Sequence, residues 1–425
     1  MTLTRTTQEL GVDAARLWDS LSTLGRIGAY PDEATGLTGV RRLALTDADR
    51  AGRDLVVDWF RAAGLEVRQD RIGNVFARRA GTEPGLAPVM VGSHIDSVAT
   101  AGRFDGCLGV LGGLEVVRTL NDHGISTRRP VEVCFFTEEE GARFGTDMLG
   151  SAVAAGRIGL EEAYALTDRD GLSVGAELER LDQLGTTAVP MSTRPYAYFE
   201  CHVEQGPILA DNGRRIGVVT GVQAINWWEV TIEGRSAHAG TTPQRLRRNA
   251  SLAAALITVR AEEMVDSGRW GALLSTVGRL EVRPNLVNIV PGAALLTVDL
   301  RNPDTAAMDR ARADLRAYLT EVEERTGTRI SVKETAHTAP VAFDPGMVDL
   351  VESTAERLGL SHERIISGAG HDAGEIAAVA PAGMIFIPGM YEGISHNPRE
   401  YSTPEACEDG INVLLHCVLA TSDQS

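Results

Sequence analysis

The stretch "VGSHIDSVATAGRFDGCLGV", from Val91 to Val110, sets His94, Asp96 and Asp105 among small residues at the end of an apolar run. Other polar groups close apolar runs in the same way: Glu138, Glu139 and Glu140 in "FFTEEEG", and His202 with Glu204 in "HVEQG". His396 follows in "GISHNP". A lone loop histidine usually serves only packing, and adjacent glutamates usually mark a solvated helix end. Three carboxylates directly after a buried β run differ, because charge there is costly to desolvate unless a cation compensates. Imidazole and carboxylate without cysteine suit hydrolytic Zn2+ or Mn2+. Three histidines with two or three carboxylates exceed the needs of one zinc. They fit two ions about 3.5–4 Å apart that share a bridging carboxylate.

The elements that must position these residues alternate. "TDADRAGRDLVVDWFRAAG" has helical spacing, "APVMVGSHID" is a short buried strand, "GCLGVLGGLEVVRTLNDHG" is helical again, and "RRPVEVCFFTEEE" is a second buried strand. Such alternation predicts an α/β sheet with parallel strands, whose ligands collect at the strands' carboxyl ends. Residues 142–195 are rich in Gly, Ala and Leu and read only as loops and helices. From about Gly221 the order becomes strand, helix, strand, strand, helix, strand, including "LLSTVGRLEV" as one strand. That order suits a compact two-layer α+β domain. The α/β pattern then resumes with a helix near Met347 to Leu358, a strand at "GMIFIPG" and a helix after "STPEACEDG". The expected fold is therefore α/β. A larger domain, residues 1–221 and 334–425, has a mixed, mainly parallel sheet with helices on both faces. A smaller α+β domain, residues 222–333, is inserted into it.

Bulk properties agree with a soluble globular protein of two domains. At 425 residues the chain is long for one core, and 43% apolar with 23% charged residues is ordinary for globular proteins. No apolar run approaches the length of a membrane span, and the polar start "MTLTRTTQEL" lacks a secretory h-region. Cytoplasmic residence is the expectation. The net charge of -17 disfavours nucleic acid or an anionic membrane as partner. The five cysteines are scattered without a CxxC pair, so most of them read as small buried hydrophobes.

Seven motifs then occur in order: "GSHIDSV…GRFDGCLGV", "FFTEEEGARFG", "HVEQGPIL", "GRSAHAGTTP", "PNLVNIVPG", "SGAGHDA" and "GISHNPREY". Together they resemble the amidase/hydantoinase-carbamoylase branch of the dinuclear zinc aminoacylase and carboxypeptidase superfamily, over nearly the whole chain. That branch includes N-carbamoyl-L-amino-acid hydrolases, β-ureidopropionases and allantoate amidohydrolases. The resemblance implies that His94, Asp105, Glu140, His202 and His396 bind two divalent ions, with Asp105 bridging. Zn2+ is expected, and Mn2+, Co2+ or Ni2+ suit the same ligands. It further implies Glu139 as general base and acid, and Asp96 as the group fixing the tautomer of His94. Glu138 is left without a role. His238 would donate a hydrogen bond to the oxyanion from the other subunit of a homodimer joined through the small domain. Arg301 would clamp the substrate carboxylate, Asn288 would add a hydrogen bond, and Gln205 and the loop around Gly370 would contact substrate. His371 and Asp372 in that loop are expected to be structural. Gln244, Asn249, Ala101 and Asn226 depart from the branch's usual residues, and none of them is an expected ligand.

The resemblance implies hydrolysis of N-carbamoyl-L-amino acids, with allantoate and N-carbamoyl-β-alanine as alternatives and aminoacylase or dipeptidase activity behind them. A metal-bound binding protein without catalysis is the alternative of another class. It would be expected to lack Glu139 or a ligand, and all are present.

Overall fold

A computed structural model describes residues 10–424. The polar start on which the absence of a leader was read lies, through residue 9, outside the described residues. The chain forms two compact units, one running to Gly221 and resuming at Ala342, the other Val222–Val341. The return comes later than residue 333 because the strand Arg329–Thr338 continues past that point.

The larger unit carries a nine-stranded sheet. Its central strands, Val131–Phe136, Val89–His94, Ala197–Val203 and Ala382–Ile387, lie side by side in that order and run parallel. All four are buried throughout. Their continuous apolar runs are what a sheet covered on both faces requires. Val75–Arg79 and Ile216–Val222 extend the sheet on opposite sides as antiparallel strands, which makes it mixed.

Helices pack against this sheet. Cys107–Asp122 begins two residues after Asp105 and is buried over most of its length, against the strand Val89–His94 and the helix Pro404–Ser422. Asp47–Ala62 is capped by Thr46, whose side chain accepts from the Asp49 N–H, and carries Asp47 and Asp49 in its first turn. Its buried Arg53 binds the Asp49 carboxylate at 2.8 Å, the Gly73 carbonyl at 2.7 Å and Thr137 Oγ1 at 3.1 Å. The helix thereby grips the residue that precedes Glu138. Residues 142–195 contain three short helices, Leu149–Ala155, Leu160–Ala165 and Val174–Arg180, around a small core of Leu149, Val153, Ala163, Val174 and Leu178.

The smaller unit is built on a five-stranded antiparallel sheet. Ala224–Glu233 lies between Ala293–Asn302 and Arg329–Thr338. "LLSTVGRLEV" is two short strands, Leu274–Thr276 and Leu280–Arg283, both paired with Ala293–Asn302. That strand alternates half-buried and buried residues. Its inward set of Leu296, Val298 and Leu300 packs with Ala253 and Ile257 of the helix Ala250–Asp266, and with Leu315 and Leu319 of the helix Thr305–Thr326. All five cysteines are buried free thiols. No helix among the described residues is long and apolar enough to cross a membrane.

Candidate metal centre

The parallel strands of the larger unit end at one place. His94 closes the strand Val89–His94 opposite Phe136, so Glu138 to Glu140 follow immediately beside it. His202 stands opposite Phe386 near the ends of the next pair, and His396 follows the last of these strands. Between His94 and the following helix the chain turns at Gly106, whose φ is +64°. A Cβ at Gly106 would run into the His94 imidazole, so this turn requires glycine for both dihedral and space.

Main-chain oxygens fix both inner imidazoles. His94 Nδ1 lies 3.0 Å from the Asp96 carbonyl oxygen, and His202 Nδ1 lies 2.8 Å from that of Val203. Each contact assigns the proton to Nδ1 and leaves an Nε2 lone pair on the side of the site, where that of His202 accepts from the Gly106 N–H at 3.0 Å. His202 Nε2 is 3.1 Å from Asp105 Oδ1, and His94 Nε2 is 3.5 Å from the same oxygen. Asp105 Oδ2 faces the other way, 3.5 Å from His396 Nε2, which is also 3.3 Å from Glu140 Oε2. Among the described residues three donor groups result: His94–Asp105–His202 and Asp105–Glu140–His396 are joined at Asp105, and Glu200–His202–His371 shares only His202 with the first. Glu139 belongs to none of them, and its Oε2 stands 3.3 Å from His94 Nε2.

The surrounding acids hold main chain. The Asp96 carboxylate is 3.9 Å from His94 Nδ1; its two oxygens instead accept from the Glu139 and Glu140 N–H groups, each at 3.4 Å. The atom of Asp96 that fixes the histidine is its carbonyl oxygen. Glu138 adopts a left-handed φ of +55°, and its carboxylate accepts from the N–H groups of Arg143 at 3.0 Å and Phe144 at 2.7 Å. Glu204 caps the segment after it through the N–H groups of Ile208 and Leu209. Gln205, also left-handed, donates from Nε2 to Asp105 Oδ2 at 2.7 Å. Gly370 lies half-buried in the turn between the strand His362–Ser367 and the helix Asp372–Ile376. Asp372 beside it accepts from Ser151 Oγ at 2.6 Å.

The charge balance fits bound cations. Burial opposes charge on His94, yet the carboxylates of Glu139, Asp105, Asp96 and Glu140 hold its imidazole well above the usual value. His396 is pushed up to about 11, against the effect of burial, by its bonds to Asp105 and Glu140. Burial pushes Glu139 well above the usual carboxylate range. The cluster draws protons because it is short of positive charge. His94 Nε2 is also buried without a hydrogen-bond partner. An orphaned imidazole nitrogen, nitrogen and oxygen donors without sulfur, and excess negative charge all suit two divalent cations.

In the smaller unit, the short strands Ala237–His238 and Ile289–Val290 pair, and the Asn288 carbonyl oxygen accepts from the Ala239 N–H at 3.0 Å. His238 and Asn288 are thus neighbours, and both are exposed. His238 Nδ1 accepts from the N–H groups of Gly240 at 3.0 Å and Thr241 at 3.1 Å, which places the proton on Nε2. Arg301 pairs with Asp299 on its own strand, Nη2 to Oδ2 at 2.8 Å.

The model of peptidase family M20/M25/M40 matches residues 90–420. The chain belongs to this family. It is 46% identical over 412 residues to an N-carbamoyl-L-amino-acid amidohydrolase of Rhizobium meliloti, covering 97% of each chain. It is 35% identical over 415 residues to a ureidoglycolate hydrolase of Arabidopsis thaliana, covering 95% of this chain and 86% of that protein. The crystal structure of a hydantoinase/carbamoylase family amidase from Burkholderia vietnamiensis matches with a TM-score of 0.93 at 46% identity, covering 98% of this chain and 99% of the other. This M20/M25/M40 chain is an amidohydrolase with the mixed α/β fold expected of it, and the residues present fit the family's metal dependence.

Sequence reasoning about this M20/M25/M40 hydrolase missed Glu400 and Ser395. Glu400 is buried and accepts from two main-chain N–H groups beside the centre, and Ser395 Oγ reaches Asp105. Burial pushes Glu400 up to about 7, aided by the charge of Asp105. The only signal was its place four residues after His396, which an exposed glutamate would share.

Proposed function

We propose that the chain hydrolyses the ureido C–N bond of N-carbamoyl-L-amino acids, giving the amino acid, CO2 and ammonia. The observation that carries this reading is the pair of donor sets sharing Asp105, with Glu139 beside them and outside both. The substrate class is supported by the 46% identity to the Rhizobium meliloti amidohydrolase. When bound, two divalent cations supply a water deprotonated near neutral pH and polarise the scissile carbonyl. Zn2+ is the proposed native ion.

Glu139 takes the proton of the attacking water and hands it to the leaving nitrogen. Its buried, acid-rich surroundings favour holding that proton between the two transfers. The Nε2–H of His238 donates to the tetrahedral oxyanion. Arg301 exchanges Asp299 for the substrate carboxylate, and Asn288, Gln205 and Gly370 complete the substrate's contacts. Two copies pair through the small unit, so that each site receives the partner subunit's His238.

Ureidoglycolate, allantoate and N-carbamoyl-β-alanine share the ureido group and carboxylate. The 35% identity to the Arabidopsis thaliana ureidoglycolate hydrolase makes the first of them the second reading. Ammonia release from all four substrate types and amino-acid release from dipeptides, with Glu139→Gln as control, test the proposal. The expected result is highest kcat/KM on a carbamoyl amino acid, and a fall of roughly 100-fold or more in Glu139→Gln with both ions retained. Highest turnover on ureidoglycolate moves the assignment to the second reading. Wild-type turnover in Glu139→Gln removes it as the base, and no release from any substrate leaves a metal-binding protein without catalysis.

A further inference from the structure

We propose that Glu400 is a positioning residue for the bridging carboxylate, holding Asp105 so that the outer donor set of Asp105, Glu140 and His396 takes its ion. Glu400 Oε1 accepts from the main-chain N–H groups of Phe104 at 2.9 Å and Asp105 at 3.1 Å. Two donors converging on one carboxylate oxygen fix the stretch of main chain that bears Asp105. Glu400 Oε2 lies 2.8 Å from Ser395 Oγ, and the same hydroxyl lies 2.9 Å from Asp105 Oδ2. Glu400 therefore holds the main chain of Asp105 directly and its side-chain oxygen through Ser395. Oδ2 is the oxygen that faces His396.

The clamp also ties two loops together. Ser395, His396 and Glu400 share one short segment, closed by the Glu400 N–H donating to the Asn397 carbonyl at 2.9 Å. Asp105 belongs to the other loop, and Thr100 Oγ1 of that loop donates to the His396 carbonyl oxygen at 3.0 Å. A Cβ at Gly102 would collide with Glu400, so the loops approach closely at this residue. Two of the three outer donors are thus placed relative to each other by one carboxylate. Two of the three inner donors are held differently, and the third, Asp105, turns its other oxygen, Oδ1, to them. His94 and His202 are aimed by the carbonyl oxygens of Asp96 and Val203, which Glu400 does not touch. Removing Glu400 should therefore weaken the two ions unequally, whereas an acid serving only the stability of the fold would not separate them.

The test titrates the metal-free full chain with Co2+, followed by visible absorption and calorimetry, for wild type, Glu400→Ala, Glu400→Gln and Ser395→Ala. The inference rests on the two-cation reading, so wild type binding fewer than two equivalents overturns that reading and this inference with it. With two equivalents in wild type, Glu400→Ala should hold the first ion with little change and the second about 10–100-fold more weakly. Glu400→Gln keeps a carbonyl acceptor for both N–H groups and replaces the oxygen that accepts from Ser395 by an NH2 that donates to its Oγ, leaving the hydroxyl proton for Asp105, and should recover most of the loss. Ser395→Ala should weaken the second ion less than Glu400→Ala. Unchanged second-ion affinity in both alanine variants overturns the inference. Equal loss of both ions, or Glu400→Gln as poor as Glu400→Ala, does the same. If Glu400→Ala does not fold, Ser395→Ala and Glu400→Gln decide: weakened second-ion affinity in the former with retention in the latter supports the clamp, and any other pattern overturns it.

Discussion

A methyl group added at position 106 would meet the His94 imidazole at the edge of the inner donor set. Gly106 turns in the left-handed region beneath the His94 ring, and alanine there meets both an unfavourable φ and the imidazole itself. Gly106→Ala should displace His94, weaken the inner ion and lower kcat/KM roughly 100-fold, measured by metal content and ammonia release. Full metal content with wild-type kinetics would show that the ring can move aside without consequence. At this scale the donors were legible because their types are restricted and they fall where apolar runs stop. Glu400 was not, since a loop glutamate looks the same whether solvated or bonded to two main-chain N–H groups. Nor was the division of labour within Asp96: a residue letter cannot say whether the carboxylate or the carbonyl oxygen meets the histidine.

Elements deliver the residues by being held to one another at their ends. Arg53, buried in the helix Asp47–Ala62, binds Asp49, Gly73 and Thr137 and so joins the helix to the turn before Glu138. Arg53→Met would leave Asp49 buried without its cation. Losing one partner of a buried pair costs about 3–5 kcal/mol, so the larger unit should unfold several degrees lower. An unchanged thermal transition in the metal-free protein would mean that the helix is anchored elsewhere. The four parallel strands were readable because burial on both faces leaves apolar runs with polar residues only at functional or bonded positions. "LLSTVGRLEV" was misread as one strand because Val277, Gly278 and Arg279 break the regular ladder between two paired stretches without interrupting the β-rich composition, although the Arg279 carbonyl still accepts from the Thr297 N–H. The three helices of residues 142–195 are too short for a helical period to show, and their own small core is what defines them.

The whole molecule carries acids inside its larger unit beyond the metal centre. Burial pushes Asp70 up to about 7, and it pushes Glu132 and Glu375 upward as well. A carboxyl whose folded value exceeds its unfolded value favours the fold fully at low pH, and that advantage is lost as pH rises through the folded value. From about pH 6 to about pH 8.5 the zinc-saturated protein should lose on the order of 1 kcal/mol through Asp70, read as a falling unfolding temperature. A flat or rising profile would contradict burial of that carboxyl in its neutral form. Sharing of sites between two copies has its own check: separately inactive His238→Ala and Glu139→Gln chains should regain part of the activity when mixed. No recovery in proven mixed dimers would place His238 within its own chain's site. The main strand–helix alternation of both units was legible from periodicity, whereas the flanking strands Glu66–Gln69, Val75–Arg79 and Ile216–Val222 were not, nor was the end of the smaller unit, because a strand running past its expected end has no punctuation to mark it. The sheet order has a further consequence for how the protein is made. The strand Ala382–Ile387 lies between Ala197–Val203 and Ile216–Val222, which are synthesised long before it, and His396 follows it. A chain emerging from the ribosome presents His94, Asp105, Glu140 and His202 while the place for that strand is still open. On the two-cation reading, the outer donor set is completed only when synthesis is nearly finished, and a chain cut short before it lacks the strand and the outer histidine together.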